Sequence, residues 1–236
     1  MKSERLLVDG PVGPIETVFD FPDTLDGAPA RGLALVAHPH PLYGGTLDNK
    51  VAQTLAKTFV ELGYVSVRPN FRGVGASAGA HDEGHGETDD LIAVLQYAQR
   101  KLAMADGTSG ADGAIAPIGA IGAGATAGRA AAPVVLAGFS FGSLVLSRVA
   151  TRLATQGNAA QRLIFVGTAV TRGRVDDVPA DTVVIHGELD DTVPLEAVLR
   201  WAEPLELPVV VIPGADHFFH RRLHLIKGII VRAWCA

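Results

Sequence analysis

One stretch, residues 133–149, constrains the fold of this chain more than any other. It reads Pro-Val-Val-Leu-Ala-Gly-Phe-Ser-Phe-Gly-Ser-Leu-Val-Leu-Ser-Arg-Val. The apolar run 134–137 is typical of a strand that is buried on both faces. The apolar residues after Gly142 recur at helical spacing. The stretch therefore predicts a strand, a sharp turn that contains Ser140, and a helix.

Ser140 has two interpretations. The flanking glycines, Gly138 and Gly142, let strand and helix pass close to the turn, which exposes the serine hydroxyl beside the unpaired N–H groups of the helix N-terminus. A serine placed in this way serves as a nucleophile, because those N–H groups stabilise a developing negative charge. Alternatively, the hydroxyl only caps the helix. The buried strand before the turn and the amphipathic helix after it favour the nucleophile.

The composition excludes several classes of protein. With 236 residues, of which 48% are hydrophobic and 19% charged, we expect a single domain, residues 1–236, rather than a disordered chain. A net charge of −5 provides no basic surface for nucleic acid. The single cysteine, Cys235, and the absence of a signal-peptide pattern in residues 1–10 indicate a cytoplasmic setting. Residues 113–128 are uncharged but mostly alanine and glycine, so we expect no stable membrane association.

Strands and helical segments alternate along the chain. The predicted strands are 5–8, 15–21, 32–37, 64–68, 134–137, 162–167, 182–186 and 208–212. The predicted helices are one over Val51–Leu62, one from Thr88 as N-cap to Lys101, one after Ser140, Pro194–Glu203 and Phe218–Ala233. This order predicts an α/β fold in which a mostly parallel, twisted sheet carries helices on both faces, after an antiparallel start. Residues 105–132, rich in alanine and glycine, are interpreted as a low-complexity insertion.

Two loops at strand ends carry groups that can activate a serine. Asp190 and Asp191 follow the seventh predicted strand, and Asp216 and His217 follow the eighth. In a parallel sheet, ligands bind beyond the carboxyl ends of the strands. An imidazole accepts the proton of a serine hydroxyl near neutral pH, and a buried carboxylate fixes the imidazole tautomer. The order serine, acid, histidine along the chain therefore predicts a Ser–His–Asp triad.

Five stretches carry a resemblance to a known family. They are 38–45 (His-Pro-His-Pro-Leu-Tyr-Gly-Gly), 70–75 (Asn-Phe-Arg-Gly-Val-Gly), 138–142 (Gly-Phe-Ser-Phe-Gly), 186–190 (His-Gly-Glu-Leu-Asp) and 214–219 (Gly-Ala-Asp-His-Phe-Phe). With these motifs the chain resembles the α/β-hydrolases, in particular a group of small bacterial predicted esterases without a cap domain. The likeness extends from Gly32 to Phe219 and lapses at residues 105–132.

The resemblance implies a role for each member of the triad. Ser140 is the expected nucleophile, His217 the base and Asp190 the acid. Asp191 is the rival acid, although its carboxylate can instead cap the helix that follows. Asp216, next to the base, is expected to form a turn.

Two backbone N–H groups are expected to form an oxyanion hole. One belongs to Phe141, the residue after the nucleophile. The other comes from the loop after the third strand, where Pro39 and Pro41 have no N–H, so His40 is the first available donor. The side chains of His38 and His40 either brace this loop or take part in catalysis.

Four side chains are expected to contact the substrate. They are Leu42, Tyr43, Arg72 and Phe139. For Arg72, an ion pair that holds its own loop is the alternative role. No metal is expected, because Gly84 and Gly86 disfavour a helix that would bring His81 and His85 together as ligands. No cofactor is expected either, because the glycine-rich loop 73–77 lacks the third glycine of a dinucleotide-binding motif and the lysine of a P-loop.

The expected function is that of a serine hydrolase, a carboxylesterase for small to medium acyl esters that works through an acyl-enzyme. The alternatives are a thioesterase or an amidase with the same triad, and a binding protein that has lost catalysis. The expected partner is a small acyl compound, and a homodimer remains an open option. Residues 168–180 leave room only for a loop at the place where the family inserts its caps, so no large cap domain and an open pocket are expected.

Overall fold

The computed structural model describes residues 2–23, 29–105 and 132–235, which form one sheet with helices on both faces. The strands in these ranges are β1 Lys2–Gly10, β2 Gly13–Phe21, β3 Leu33–Ala37, β4 Val65–Pro69, β5 Val134–Phe139, β6 Arg162–Val166, β7 Val183–Gly187 and β8 Val209–Ile212. The α-helices are α1 Lys50–Glu61, α2 His85–Ala105, α3 Phe141–Thr155, α4 Leu195–Ala202 and α5 Leu223–Cys235. Apart from its two end residues, the predicted insertion 105–132 lies outside the described residues.

The strand order of the sheet is β1-β2-β4-β3-β5-β6-β7-β8. β1 and β2 form an antiparallel hairpin, and β2 also runs antiparallel to β4. From β4 to β8 all neighbours are parallel, so the predicted mostly parallel sheet with an antiparallel start is confirmed. β3, β4 and β5 are buried along their whole length, and β3 and β5 are accordingly continuous apolar runs without alternation, whereas β4 carries Ser66 and Arg68.

The two faces of the sheet are covered by different helices. On one face, Leu55 and Phe59 of α1 and Ile226 of α5 pack against the sheet. On the other, α2, α3 and α4 contribute apolar side chains such as Leu91 and Val149. Within the described ranges, none of the helices is both long and apolar enough to pass through a bilayer.

Two predicted helix starts are wrong. α2 begins at His85 and not after Thr88, because the buried Glu87 carboxylate accepts the N–H groups of Asp82 and Gly84 and so stabilises an earlier first turn. The last helix begins at Leu223 and not at Phe218, because the chain first turns through residues with positive φ, including Phe219 at 53°.

The connection from β6 to β7, residues 167–182, contains no helix or strand. The predicted absence of a large cap domain at this point is confirmed. The carboxyl ends of β5, β7 and β8 therefore open onto loops that are not covered by an inserted domain at β6.

Candidate active site

Ser140 lies in the turn between β5 and α3. Its backbone adopts φ 56° and ψ −118°, a strained conformation for a residue with a side chain. The turn is held by the Ser140 N–H, which donates to the Val166 carbonyl at 2.8 Å. The hydroxyl makes no capping hydrogen bond to α3, so the interpretation of Ser140 as a helix cap is wrong. The Ser140 hydroxyl is instead directed to the imidazole of His217.

Gly142 sets the distance between α3 and the end of β3. A Cβ at this position would lie 2.3 Å from the Ala37 carbonyl oxygen and 2.8 Å from that of His38. Only a residue without a side chain fits this approach. The first turn of α3 is thereby packed against the loop that carries His40.

His217 and Asp190 are brought together by the pairing of their two loops. Beyond β7, the Leu189 N–H donates to the Ala215 carbonyl at 2.8 Å. A Cβ on Gly187 would lie 2.5 Å from that same oxygen, so the two loops touch through their backbones. The loop after β8 is in this way fixed against the loop after β7.

The three predicted residues form a continuous hydrogen-bonded chain. Nδ1 of His217 lies 2.6 Å from Oδ2 of Asp190, and Nε2 lies 3.1 Å from Oγ of Ser140. Because an ionised carboxylate only accepts hydrogen bonds, Nδ1 carries the proton and Nε2 is left to accept the serine proton. All three side chains are at least nine-tenths buried. The structure thus brings Ser140, His217 and Asp190 together.

Asp190 is held by its own turn as well as by the histidine. Its Oδ1 accepts the N–H groups of Thr192 at 3.0 Å and Val193 at 2.7 Å. These two donors and the imidazole stabilise the ionised carboxylate. Asp191 is exposed, and among the described residues its carboxylate accepts a hydrogen bond only from the Thr192 hydroxyl, at 3.4 Å. Asp216 accepts the His220 N–H at 3.0 Å and forms a turn, as its position next to the base indicates.

His186 is a buried residue of the site that sequence reasoning missed. Its Nε2–H donates to the Val193 carbonyl at 2.9 Å and lies 3.5 Å from Oδ2 of Asp190. Burial lowers the pKa of His186, which keeps the ring neutral. Within the described residues its Nδ1 has no hydrogen-bond partner. The ring supports the turn whose N–H groups bind Asp190.

The two predicted oxyanion donors lie on adjacent elements. In the loop after β3, the N–H of Tyr43 donates to the His40 carbonyl at 3.1 Å, and the N–H of Leu42 donates to Nδ1 of His40 at 3.3 Å. In the described part of the chain, the His40 N–H and the Phe141 N–H donate to no other group. The rings of these two residues lie 4.7 Å apart. Two uncommitted donors are thus available beside Ser140.

The side chain of His38 holds the loop after β3 in place through hydrogen bonds of its ring. Its Nδ1–H donates to the Pro39 carbonyl at 2.7 Å, and its Nε2 accepts the Phe71 N–H at 2.9 Å. The side chain is thereby locked between the loop after β3 and the loop after β4. Burial lowers the pKa of His38 to about 4. The bracing interpretation of His38 fits these contacts, since both ring nitrogens are engaged.

Because His38 is buried with a lowered pKa, we expect the stability of the fold to depend on pH. The unfolded chain takes up a proton at the ordinary histidine pKa, near 6.5, whereas folded His38 takes it up only near 4. Protons therefore favour the unfolded chain between these values, and we expect His38 to remove about 3 kcal/mol of stability as the pH falls through this window. Above the ordinary histidine pKa, the full contribution of His38 to stability is present.

The measurement is urea unfolding of the wild type and of His38→Gln at about pH 7 and about pH 4.5. The substitution is expected to destabilise at the higher pH and to cost clearly less at the lower. Equal costs at both values would show that His38 is not buried in its neutral form.

The four predicted substrate contacts divide into two groups. Leu42 and Tyr43 are exposed at the edge of the site, by 69% and 71%. The prediction that Phe139 contacts the substrate is wrong, because its side chain is completely buried. Its ring packs 5.0 Å from that of His217. Arg72 is buried as well: its guanidinium holds Asp90 at 2.8 and 2.9 Å and the Gly86 carbonyl at 2.7 Å, the loop-holding alternative.

Two further exposed side chains flank the site and were missed. The ring of Phe218, 47% exposed, lies 5.2 Å from that of His217, and Leu189 is 64% exposed on the paired loop. Phe218 directly follows His217 in sequence, and this adjacency is the signal that could have found it.

In the described ranges, no group of three or more His, Cys, Asp or Glu side chains is arranged to hold a metal ion.

The chain is similar in sequence and in fold to proteins of known structure. No family model matches the chain. It is 34% identical to an α/β serine hydrolase without lid from Xanthomonas campestris, with a TM-score of 0.78 over 99% of this chain and 94% of that one. It is 33% identical to an α/β serine hydrolase homologue from Coxiella burnetii, with a TM-score of 0.74 over 98% and 97%.

A third relative is known from its sequence. An uncharacterized protein of Rickettsia prowazekii (strain Madrid E) is 28% identical over 226 residues, which make up 91% of this chain and 82% of that protein. The two solved relatives align with almost the whole length of this chain, and the one from Xanthomonas campestris is described as having no lid. On this evidence of sequence and fold together, the chain belongs to the α/β-hydrolase family.

Proposed function

We propose that this hydrolase is a carboxylesterase that cleaves small to medium acyl esters through Ser140, His217 and Asp190. One observation carries the proposal: the hydrogen-bonded chain from Ser140 Oγ to His217 Nε2 at 3.1 Å and from His217 Nδ1 to Asp190 at 2.6 Å. A serine nucleophile needs a base within hydrogen-bond reach and a third group that orients the base. Both requirements are met by buried side chains on separate loops.

The first half of the reaction forms an acyl-enzyme. Oγ of Ser140 attacks the ester carbonyl carbon while Nε2 of His217 accepts the hydroxyl proton. The carbonyl oxygen becomes an oxyanion, which the N–H groups of Phe141 and His40 stabilise. The tetrahedral intermediate then collapses, and His217 returns the proton to the departing alkoxide, which leaves as an alcohol.

The second half repeats these steps with water. His217 accepts a proton from a water molecule as its oxygen attacks the acyl carbon. Collapse of the second intermediate releases the carboxylic acid and restores the Ser140 hydroxyl. Throughout, Asp190 keeps the imidazole in the tautomer with the proton on Nδ1 and stabilises the imidazolium.

The residues around Ser140 favour substrates with acyl chains of small to medium length. Exposed apolar side chains flank the site on both sides, Leu42 and Tyr43 on one and Leu189 and Phe218 on the other. They offer apolar contact at an exposed surface, and residues 167–182 contain no helix or strand that could form a cap. A long acyl chain would therefore remain largely in water and gain little binding energy per added methylene.

The test is a substrate panel with the purified chain. We expect para-nitrophenyl acetate to hexanoate to be hydrolysed with the highest kcat/KM, and laurate to be no better. Acyl thioesters and peptide anilides of matched acyl groups serve as competitors. A higher kcat/KM for the thioester or the anilide would replace the esterase assignment with a thioesterase or an amidase.

A further inference from the structure

Arg172 is an exposed cation without a counter-ion. Its guanidinium lies over the ring of Tyr43, 5.3 Å from the centroid, with Nη1 3.5 Å from the tyrosine hydroxyl. Among the described residues, no carboxylate lies within ion-pair distance of it. Arg68, Arg72 and Arg152, by contrast, are paired with Asp20, Asp90 and Asp89 respectively. Arg172 is thus free to bind an anion.

The contacts of Arg172 place it at the edge of the active site. Its N–H donates to the Ala169 carbonyl at 3.1 Å, and the Ala169 N–H in turn donates to the Ser140 carbonyl at 3.4 Å. On the other side, the Tyr43 ring beneath the guanidinium lies 4.9 Å from the ring of His40. The guanidinium therefore bridges the loop after β6 and the loop that carries an oxyanion donor.

The charged groups differ between the two edges of the site. On the Arg172 edge, burial and then the neighbouring His81 and Arg172 lower the pKa of His40, with Glu87 acting in the opposite direction, and the Arg172 guanidinium is exposed. The edge formed by Leu189 and Phe218 carries exposed residues of both signs, Glu188, Asp191 and Arg221, and His220 is hydrogen-bonded to Asp216. A negatively charged group on a substrate at the Arg172 edge is accordingly attracted to the unpaired guanidinium.

We propose that Arg172 determines specificity by binding a carboxylate carried by the ester, so that the preferred substrates are anionic esters. Arginine suits this role, because its planar fork of N–H donors matches a carboxylate in two parallel hydrogen bonds. The stacked Tyr43 ring holds the fork in place, which lowers the entropy cost of binding. The proposal rests on the esterase function proposed above and names its substrate class.

The carboxylate can stand on the acyl group or on the alcohol, and two pairs of esters distinguish the cases. The acyl pair is the para-nitrophenyl hemiester of glutaric acid and its neutral methyl diester. The alcohol pair is para-carboxyphenyl butyrate and para-carbamoylphenyl butyrate. For each pair, the ratio of kcat/KM for the anionic ester to that for the neutral ester is measured in the wild type, in Arg172→Gln, and in Arg174→Gln. Arg174 is the matched control, an exposed arginine of the same loop.

We expect the wild type to prefer the anionic member of one pair about five- to tenfold, the scale of a charge-assisted hydrogen bond near solvent. Arg172→Gln should abolish this preference, Arg174→Gln should keep it, and added salt should weaken it in the wild type. Ser140-dependent hydrolysis with a ratio near one in both pairs, or a ratio unchanged by Arg172→Gln, overturns the role of Arg172 and leaves the esterase intact. Absence of hydrolysis of every ester, or equal hydrolysis by Ser140→Ala, overturns both.

Discussion

Ser140→Ala is expected to lower kcat for para-nitrophenyl butyrate by at least about 10⁴-fold, the scale seen when a triad serine is removed. The alanine leaves the imidazole and the oxyanion donors in place, but no oxygen remains to form the acyl-enzyme. Any residual rate should come from water attacking a bound ester. Rates are compared with the wild type at equal concentration of folded protein.

Two controls separate this loss from a loss of fold. Thermal unfolding of Ser140→Ala should occur close to the wild-type temperature, because the replaced hydroxyl makes no bond to α3 and its strained turn is held by backbone contacts. Ser147→Ala removes a buried serine of α3, whose hydroxyl donates to the Leu144 carbonyl, and should keep turnover. Wild-type turnover in Ser140→Ala would refute Ser140 as the nucleophile.

Asp190→Asn is expected to lower kcat by about 10⁴-fold, the scale of the tautomer error caused by the same change in other triads. The asparagine amide can present its N–H₂ group to Nδ1 of His217, which moves the imidazole proton to Nε2, where the serine proton should be accepted. In the structure the native carboxylate lies 2.6 Å from Nδ1, so nothing else intervenes.

Asp191→Asn is the matched control for the acid. Asp191 is the next residue, is of the same type and is exposed, and its carboxylate accepts a hydrogen bond from the Thr192 hydroxyl. Its neutralisation should change kcat less than about threefold, as expected for an exposed charge that is screened by solvent. If Asp191→Asn were the damaging change and Asp190→Asn the mild one, the assignment of the acid would be reversed.

The sheet, and the placement of the three predicted triad residues at one edge of it, could be predicted from sequence for a common reason. Buried parallel strands are often uninterrupted apolar runs, and the residues that follow them lie at one edge of the sheet. Ser140 and Asp190 follow the buried strands β5 and β7, and His217 follows the apolar edge strand β8, so a local pattern was enough to place them at the same edge. The strand-turn-helix pattern around Ser140 also favoured a nucleophile over a helix cap.

The remaining features depend on contacts between distant parts of the chain. Phe139 and Arg72 stand beside site motifs in sequence, yet one is buried in the core and the other is held by Asp90, eighteen residues further on. Arg172 reaches Tyr43 across 129 positions, and no local pattern marks that approach. The predicted start of α2 at Thr88 also failed, because Asp82 accepts the N–H of Gly86 in an earlier first turn and Glu87 accepts the N–H of Gly84 directly before the helix.

The role of Ser140 as a covalent nucleophile is tested most directly by mass spectrometry after reaction with a fluorophosphonate. The probe reacts with a serine only where a base removes the hydroxyl proton and an oxyanion hole stabilises the intermediate. We expect one probe adduct per wild-type chain, mapped to the peptide that contains Ser140, and none on Ser140→Ala. An unlabelled wild type, or an adduct on another residue, would contradict the catalytic triad.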